Sequence, residues 1–247
     1  MKEVKLKHIG KLLILLIGML LIAIVFTIPV IKQDLDYHKF TDSKTLFGIS
    51  NFWNVVSNIP FLIVGVLGLL RLKVFSKNRR QYLMLFLGIL LISIGSGYYH
   101  FNPNNETLIW DRLPMTITFM ALLSILISEF INKKIGKKLL LPLLFLGMAS
   151  IILWVIKDDL RLYVLVQFFP IFTIPIILVF FKTKHNFVKG YWFLLICYLI
   201  AKALEYYDNY VHSLIYFSGH TLKHIVSAIG LYCLFKHYKK TFLQSKF

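Results

Sequence analysis

Apolar positions in this chain come in long unbroken runs, without the three- and four-residue rhythm of a half-buried surface helix. Eight stretches, 12–31, 52–72, 81–100, 113–131, 139–156, 162–181, 191–210 and 217–235, approach the roughly 20 apolar residues that cross a hydrocarbon layer about 30 Å thick. The pattern predicts an all-α membrane protein of eight spans joined by short polar loops, with the lipid bilayer as its main partner. Lys2, Lys5, Lys7 and Lys11 ahead of the first run resemble the start of a signal peptide. The run from Leu12 to Ile31 is too long for a signal core, and no small-x-small cleavage site follows it, so it reads as a retained helix. Pro60, Pro170 and Pro175 fall inside predicted spans, where each removes a backbone hydrogen bond and can kink its helix.

Composition sharpens this. Hydrophobic residues make up 58% and charged residues 16%, against about 25% charged in a typical soluble domain. The net charge of +17 would suit a nucleic-acid binder, but the hydrophobic content does not, and the positions of the charges explain them otherwise. With a cytoplasmic N-terminus, segments 1–11, 71–80, 132–138, 182–190 and 236–247 lie inside and hold 20 of the 28 Lys and Arg. The outer loops hold six, and Lys202 and Lys223 lie within spans. Such an alternation is the signature of positive-inside insertion, with both termini cytoplasmic. Most acids collect on the opposite side. Two cysteines, Cys197 and Cys233, exclude a disulfide framework or an all-cysteine metal site and read as small buried hydrophobes.

Polar residues inside spans are costly and therefore informative. Here they gather at the outer ends of a few spans: Ser96 and His100 end the third, Asp111 opens the fourth, Lys202, Glu205 and Asp208 end the seventh, and His220 and His224 begin the eighth. His220 and His224 are spaced i,i+4 and share one helix face, an arrangement that can hold one metal ion. The charge-derived topology puts His100 at the same depth, which makes it the best candidate for a third ligand of a zinc site. Ser96 shares a face with His100. A carboxylate such as Asp111 can take a proton from zinc-activated water, and a hydroxyl such as Ser96 can stabilise an oxyanion.

Simpler roles compete with these. Asp111 could cap its helix, with Pro114 in the first turn. Ser96, between Gly95 and Gly97, could serve close helix packing. Lys202, Glu205 and Asp208 lie along one face and read as an ion-pair ladder, or as groups that orient a ligand histidine. Lys223 points to another face and reads as a snorkelling residue. His38 and His212 read as outer loop residues, and His8, His185 and His237 as solvated residues on the inside.

Together, three blocks resemble the alkaline ceramidase family, particularly its bacterial members, within a superfamily that includes the adiponectin-type receptors. They are Asn51-Phe-Trp-Asn54-Val-Val-Ser57-Asn58, Ser96-x-x-x-His100 with Asp111 eleven residues on, and His220-x-x-x-His224. The resemblance implies a seven-helix catalytic bundle over 51–247, preceded by an additional transmembrane helix and outer loop over 1–50. It implies zinc on His100, His220 and His224, with Ser96 and Asp111 as the other active-site residues. The implied activity is hydrolysis of the amide of a ceramide or ceramide-like lipid. Eukaryotic members carry an acidic calcium cluster ending in a Glu before the Phe-Trp-Asn block. Here that position is Asn51 and only Asp42 is close by, so no calcium site is carried over. Two readings stand beside the amidase. One is a receptor-like or lipid-binding protein with a structural zinc, and the other is an ion transporter using Lys202, Glu205 and Asp208.

Overall fold

The computed structural model describes residues 2–181 and 188–244, and every regular element among them is helical. The order is α1 (Lys2–Thr27), α2 (Phe52–Val56), α3 (Ile59–Leu70), α4 (Arg79–Phe101), α5 (Asn105–Leu126), α6 (Lys133–Lys157), α7 (Arg161–Phe180), α8 (Val188–Tyr206), α9 (Asp208–Ile215) and α10 (Gly219–Gln244). Leu141, Phe145, Ile156 and Val179 each expose more than 60% of their surface. Large apolar side chains turned outward along whole helices suit lipid as the surrounding medium, so the protein is membrane-embedded.

Among the described residues, six helical stretches are long and apolar enough to cross a membrane: α1, α2 with α3, α4, α5 with the π-turn that ends it, α6 and α7. The last two predicted spans exist as α8 and α10, but Lys189, Lys202 and Glu205 in one and Lys223, Lys236, Lys239 and Lys240 in the other make them more polar. Length and apolarity thus support six spans directly, where the sequence pattern predicts eight.

Local chemistry moves several boundaries. The fourth predicted span starts about two turns early because Asn104 accepts from the Thr107 backbone N–H at 2.9 Å while the Thr107 hydroxyl accepts from the Asn104 N–H at 3.2 Å. Asp111 is therefore not a helix cap; it sits on the second turn of α5, and Pro114 lies inside the helix, beyond the first turn. The seventh predicted span is cut at Tyr206, so Asp208 opens a separate short helix. The second is broken between α2 and α3 at Ser57–Asn58, and Pro60 sits in the first turn of α3, where its missing N–H costs nothing. Pro170 and Pro175 lie inside α7 as expected.

Helices α3, α4, α5, α8 and α10 pack around a core that includes Tyr82, Phe86, Ile89, Leu122, Ile125 and Phe235. By contrast α1 packs against α7 and buries only 6% of its apolar window. The chain between α1 and α2 crosses one end of the bundle as a strap. The Leu160 N–H donates to the Ile31 carbonyl at 2.8 Å, Gln33 N–H to Asp158 at 3.1 Å, and Arg161 to the Ile28 carbonyl at 3.0 Å. Arg161 also grips Asp159, which holds that loop carboxyl below its usual range. The strap ends of α4, α5, α8 and α10, with Asp208 at the start of α9, carry the candidate residues.

Candidate metal centre and its cavities

His100, on the last turn of α4, and His220 and His224, on the first turns of α10, are all buried and turn toward one point, with one ligand atom from each within 4.8 Å of the others. Their ring centroids are 4.9, 4.9 and 5.1 Å apart. The Nε2 atoms of His100 and His220 face each other at 3.3 Å. Two nitrogens at 2.0–2.1 Å from a tetrahedral ion lie about 3.3–3.4 Å apart, so the spacing fits a zinc-sized cation.

His224 is pre-set for the same task. Its Nδ1 is 2.8 Å from the Ser57 hydroxyl, which lies 3.0 Å from the Asn54 carbonyl, to which it donates its proton. Having used its only proton there, Ser57 accepts from Nδ1–H, leaving the Nε2 lone pair free. The Nδ1 of His100 is buried with no hydrogen-bond partner, while the Asn51 amide donates to the His100 carbonyl at 2.8 Å. Three buried imidazoles with their free nitrogens converging, and no carboxylate hydrogen-bonded to them, suit a borderline-soft divalent cation such as zinc.

The start of α10 is fastened by Asp208. Its Oδ1 accepts from the His220 backbone N–H at 2.9 Å and from the Ser218 hydroxyl at 2.7 Å, and Ser218 accepts from the same N–H at 3.1 Å. Gly219 allows this approach, since a Cβ there would lie 2.3 Å from the Leu204 carbonyl oxygen. The predicted ladder of Lys202, Glu205 and Asp208 is therefore split. Glu205 pairs with Lys202 at 2.8 Å and with Lys223 at 2.5 Å, while Asp208 holds the backbone of α10. Lys223 does not snorkel; it turns inward to Glu205.

Ser96 on α4 and Asp111 on α5 lie on one cavity wall across the α4–α5 contact. The close packing that brings them together depends on Gly95, whose added Cβ would fall 1.9 Å from the Trp110 carbonyl oxygen; at Gly97 there is open space. Both side chains, with His224, line an inner cavity of about 310 Å³. Its polar end holds Ser96, Asp111, Arg112, Lys202, Glu205 and Lys223, and its apolar end runs past Phe119, Leu122, Ile174 and Leu194. A second, polar cavity of about 390 Å³ lies under the strap and is lined by His220, Glu205, Asp208 and Phe40. The histidines thus stand between a polar entrance and an apolar chamber.

Sequence reasoning missed four participants. Ser57 orients His224. The Phe40 ring covers the centre, 4.7 Å from His100 and 5.1 Å from His220. Lys223 completes the Glu205 pair, and Arg112 lines the chamber. Ser57 and Lys223 stood in blocks already singled out, but nothing in their spacing revealed their partners, His224 lying 167 residues from Ser57. His38 is not a free loop residue: it contacts the Tyr99 hydroxyl at 3.0 Å and Asn105 at 2.9 Å, pinning the strap, and His212 lies on α9. His8 is exposed, His237 is half-buried and bonded to the Cys233 carbonyl, and His185 lies outside the described residues.

The fold and site define a membrane-embedded, all-helical protein with a buried three-histidine cluster beside a largely apolar chamber. A family model described as Ceramidase matches residues 44–246, and the chain belongs to the ceramidase family. It is thus a hydrolase acting on the amide bond of ceramide. No curated protein matches the chain.

Proposed function

We propose that the protein is a zinc-dependent integral-membrane amidase that cleaves the N-acyl amide of ceramide or a ceramide-like lipid to a fatty acid and an amine. The observation that carries this reading is the buried cluster of His100, His220 and His224, with His224, Ser96 and Asp111 on the wall of one cavity and His220 on the wall of another. His100, His220 and His224 hold the ion. Zinc there supplies a Lewis acid that lowers the pKa of water and polarises a carbonyl. Asp111 takes the proton of the attacking water and returns it to the departing amine nitrogen. Ser96 donates to the carbonyl oxygen as negative charge grows on it. The apolar chamber takes the acyl chain and keeps bulk water from it. Lys202 and Lys223 hold Glu205 in place beside the polar entrance, and Asp208 sets the position of His220.

We further read the chain as eight spans with both termini cytoplasmic and the site near the outer face. Residues 1–50 form the N-terminal helix and outer loop, and residues 51–247 form the catalytic bundle. The alternation of Lys and Arg supports the orientation. The pairing of Lys202 and Lys223 with Glu205 on the wall of the inner cavity supports counting α8 and α10 as spans, because these charges turn toward the bundle interior. The same paired arrangement speaks against an ion pathway.

Purified protein should contain one zinc per chain and release fatty acid from a ceramide. His220→Ala should lose both. A zinc-free preparation with full activity, or zinc retained with no turnover on any lipid amide, would overturn the reading; the second outcome would favour a lipid-binding protein.

A further inference from the structure

The amidase reading leaves one buried charge unexplained. Arg112 is 6% exposed and lines the inner cavity next to Asp111. Its guanidinium carbon lies 4.5 Å from the ring centroid of Trp154, 5.1 Å from Tyr163 and 5.4 Å from Tyr37. The rings stabilise a cation through their faces but accept none of its five N–H donors in its own plane. Its Nη1 is buried with no hydrogen-bond partner.

The other charges on the cavity wall are already engaged. Lys202 and Lys223 share Glu205, and Asp111, the one other carboxylate on the wall, lies in the field of both Lys223 and Arg112. Three cations therefore face two carboxylates, and a cation among the histidines only adds to the excess. An unpaired charge removed from water is costly and calls for a counter-ion. A neutral ceramide offers none.

Position says which part of a substrate could supply it. Trp154 ends α6, Tyr163 begins α7 and Tyr37 belongs to the strap, so Arg112 lies at the strap end of the chamber. Leu122, at the apolar end, is ten residues further along α5, about 15 Å at the helical rise. An acyl chain in the apolar end places the amine half of the lipid beside Arg112.

We propose that Arg112 is an anion receptor, and that the preferred substrate is a lipid amide bearing an oxyanion, a carboxylate or a phosphate, on the amine side of the scissile bond. This rests on the amidase reading of the same site. A guanidinium recognises either group through two parallel N–H···O bonds, and the aromatic rings hold it in orientation beforehand.

The test uses the full chain in lipid nanodiscs. The substrates are N-dodecanoyl sphinganine and analogues whose 1-hydroxymethyl group is replaced by a carboxylate or carries a phosphate ester. The acidic analogues should show kcat/KM about tenfold or more above the neutral one, mainly through KM. Arg112→Gln should bring that ratio to within about twofold of unity, and Arg112→Lys should keep part of it. A purely structural role would lower all rates together and leave the ratio unchanged. Equal rates in the unaltered protein, or a ratio that survives Arg112→Gln, would overturn the proposal while leaving the amidase standing. Equilibrium binding of the matching sulfonamides, which cannot be hydrolysed, decides the matter without turnover. If no amide is cleaved at all, the amidase reading fails. Arg112 is then judged on whether the acidic sulfonamide binds tighter than the neutral one and loses that advantage in Arg112→Gln.

Discussion

One hydroxyl proton decides which nitrogen of His224 is free. Ser57 donates to Asn54 and so must accept from Nδ1, which points the Nε2 lone pair at the cluster. Ser57→Ala should weaken zinc binding by about 10–100-fold, as loss of such an orienting partner usually does, measured by competition with a chelator. Asp111 and Ser96 have separable effects. Asp111→Asn should lower kcat by about 10²–10⁴-fold with zinc content unchanged, since it removes proton transfer alone. Ser96→Ala should cost about 10²–10³-fold in kcat, the usual effect of losing one oxyanion donor. Zinc lost along with activity in either variant would show a structural defect. At this scale the histidines were legible, because the i,i+4 pair, a weak signal alone, was joined by a third histidine at the depth the charge pattern gave. Ser57 and Phe40 were not, because each acts on residues far away in the chain.

Helices place these groups through two close contacts. At Gly95 the backbone of α5 comes so near α4 that any Cβ would meet the Trp110 carbonyl. Gly95→Ala should force the helices apart, lower stability by about 1–3 kcal/mol and separate Ser96 from Asp111, seen as a drop in melting temperature and in activity. Gly97→Ala, facing open space, is the neutral control. At the start of α10, Asp208→Ala removes the acceptor for His220 N–H. It should cost about 1 kcal/mol, the usual value of a helix cap, with weakened zinc binding as its second sign. Helix existence was readable from apolar runs, whereas helix ends depended on caps. Asn104 and Thr107 extend α5 past the loop expected at 101–112, and Tyr206 ends α8 before Asp208. Asp111 was thereby moved from a helix cap to a cavity wall.

For the whole molecule, the positive charges and the buried acids divide along the bundle. Reporter fusions should find both termini on the cytoplasmic side and the turn at 102–104 on the other; opposite sides for the termini would reduce the spans to an odd number. The strap is the feature that joins the N-terminal segment to the bundle. Residues 1–50 read as an addition to a self-contained catalytic unit, yet Tyr37 and Phe40 border the polar cavity, and Phe40 covers two of the histidines. The family match begins at residue 44, after this cover.

Apolar run lengths were enough to predict a helical membrane protein, because the thickness of the hydrocarbon layer imposes a length on every span. Helical periodicity was enough to pair His220 with His224, and charge alternation placed His100 near them, since both follow from spacing along one chain. What lay beyond that reach was every relation across helices. The Nε2 atoms at 3.3 Å, the transfer of Lys223 to Glu205, the placing of Ser96 and Asp111 on one cavity wall and the aromatic cage of Arg112 were decided by packing. Packing brings together residues as far apart in the chain as Phe40 and His220, and spacing carries no record of such distances.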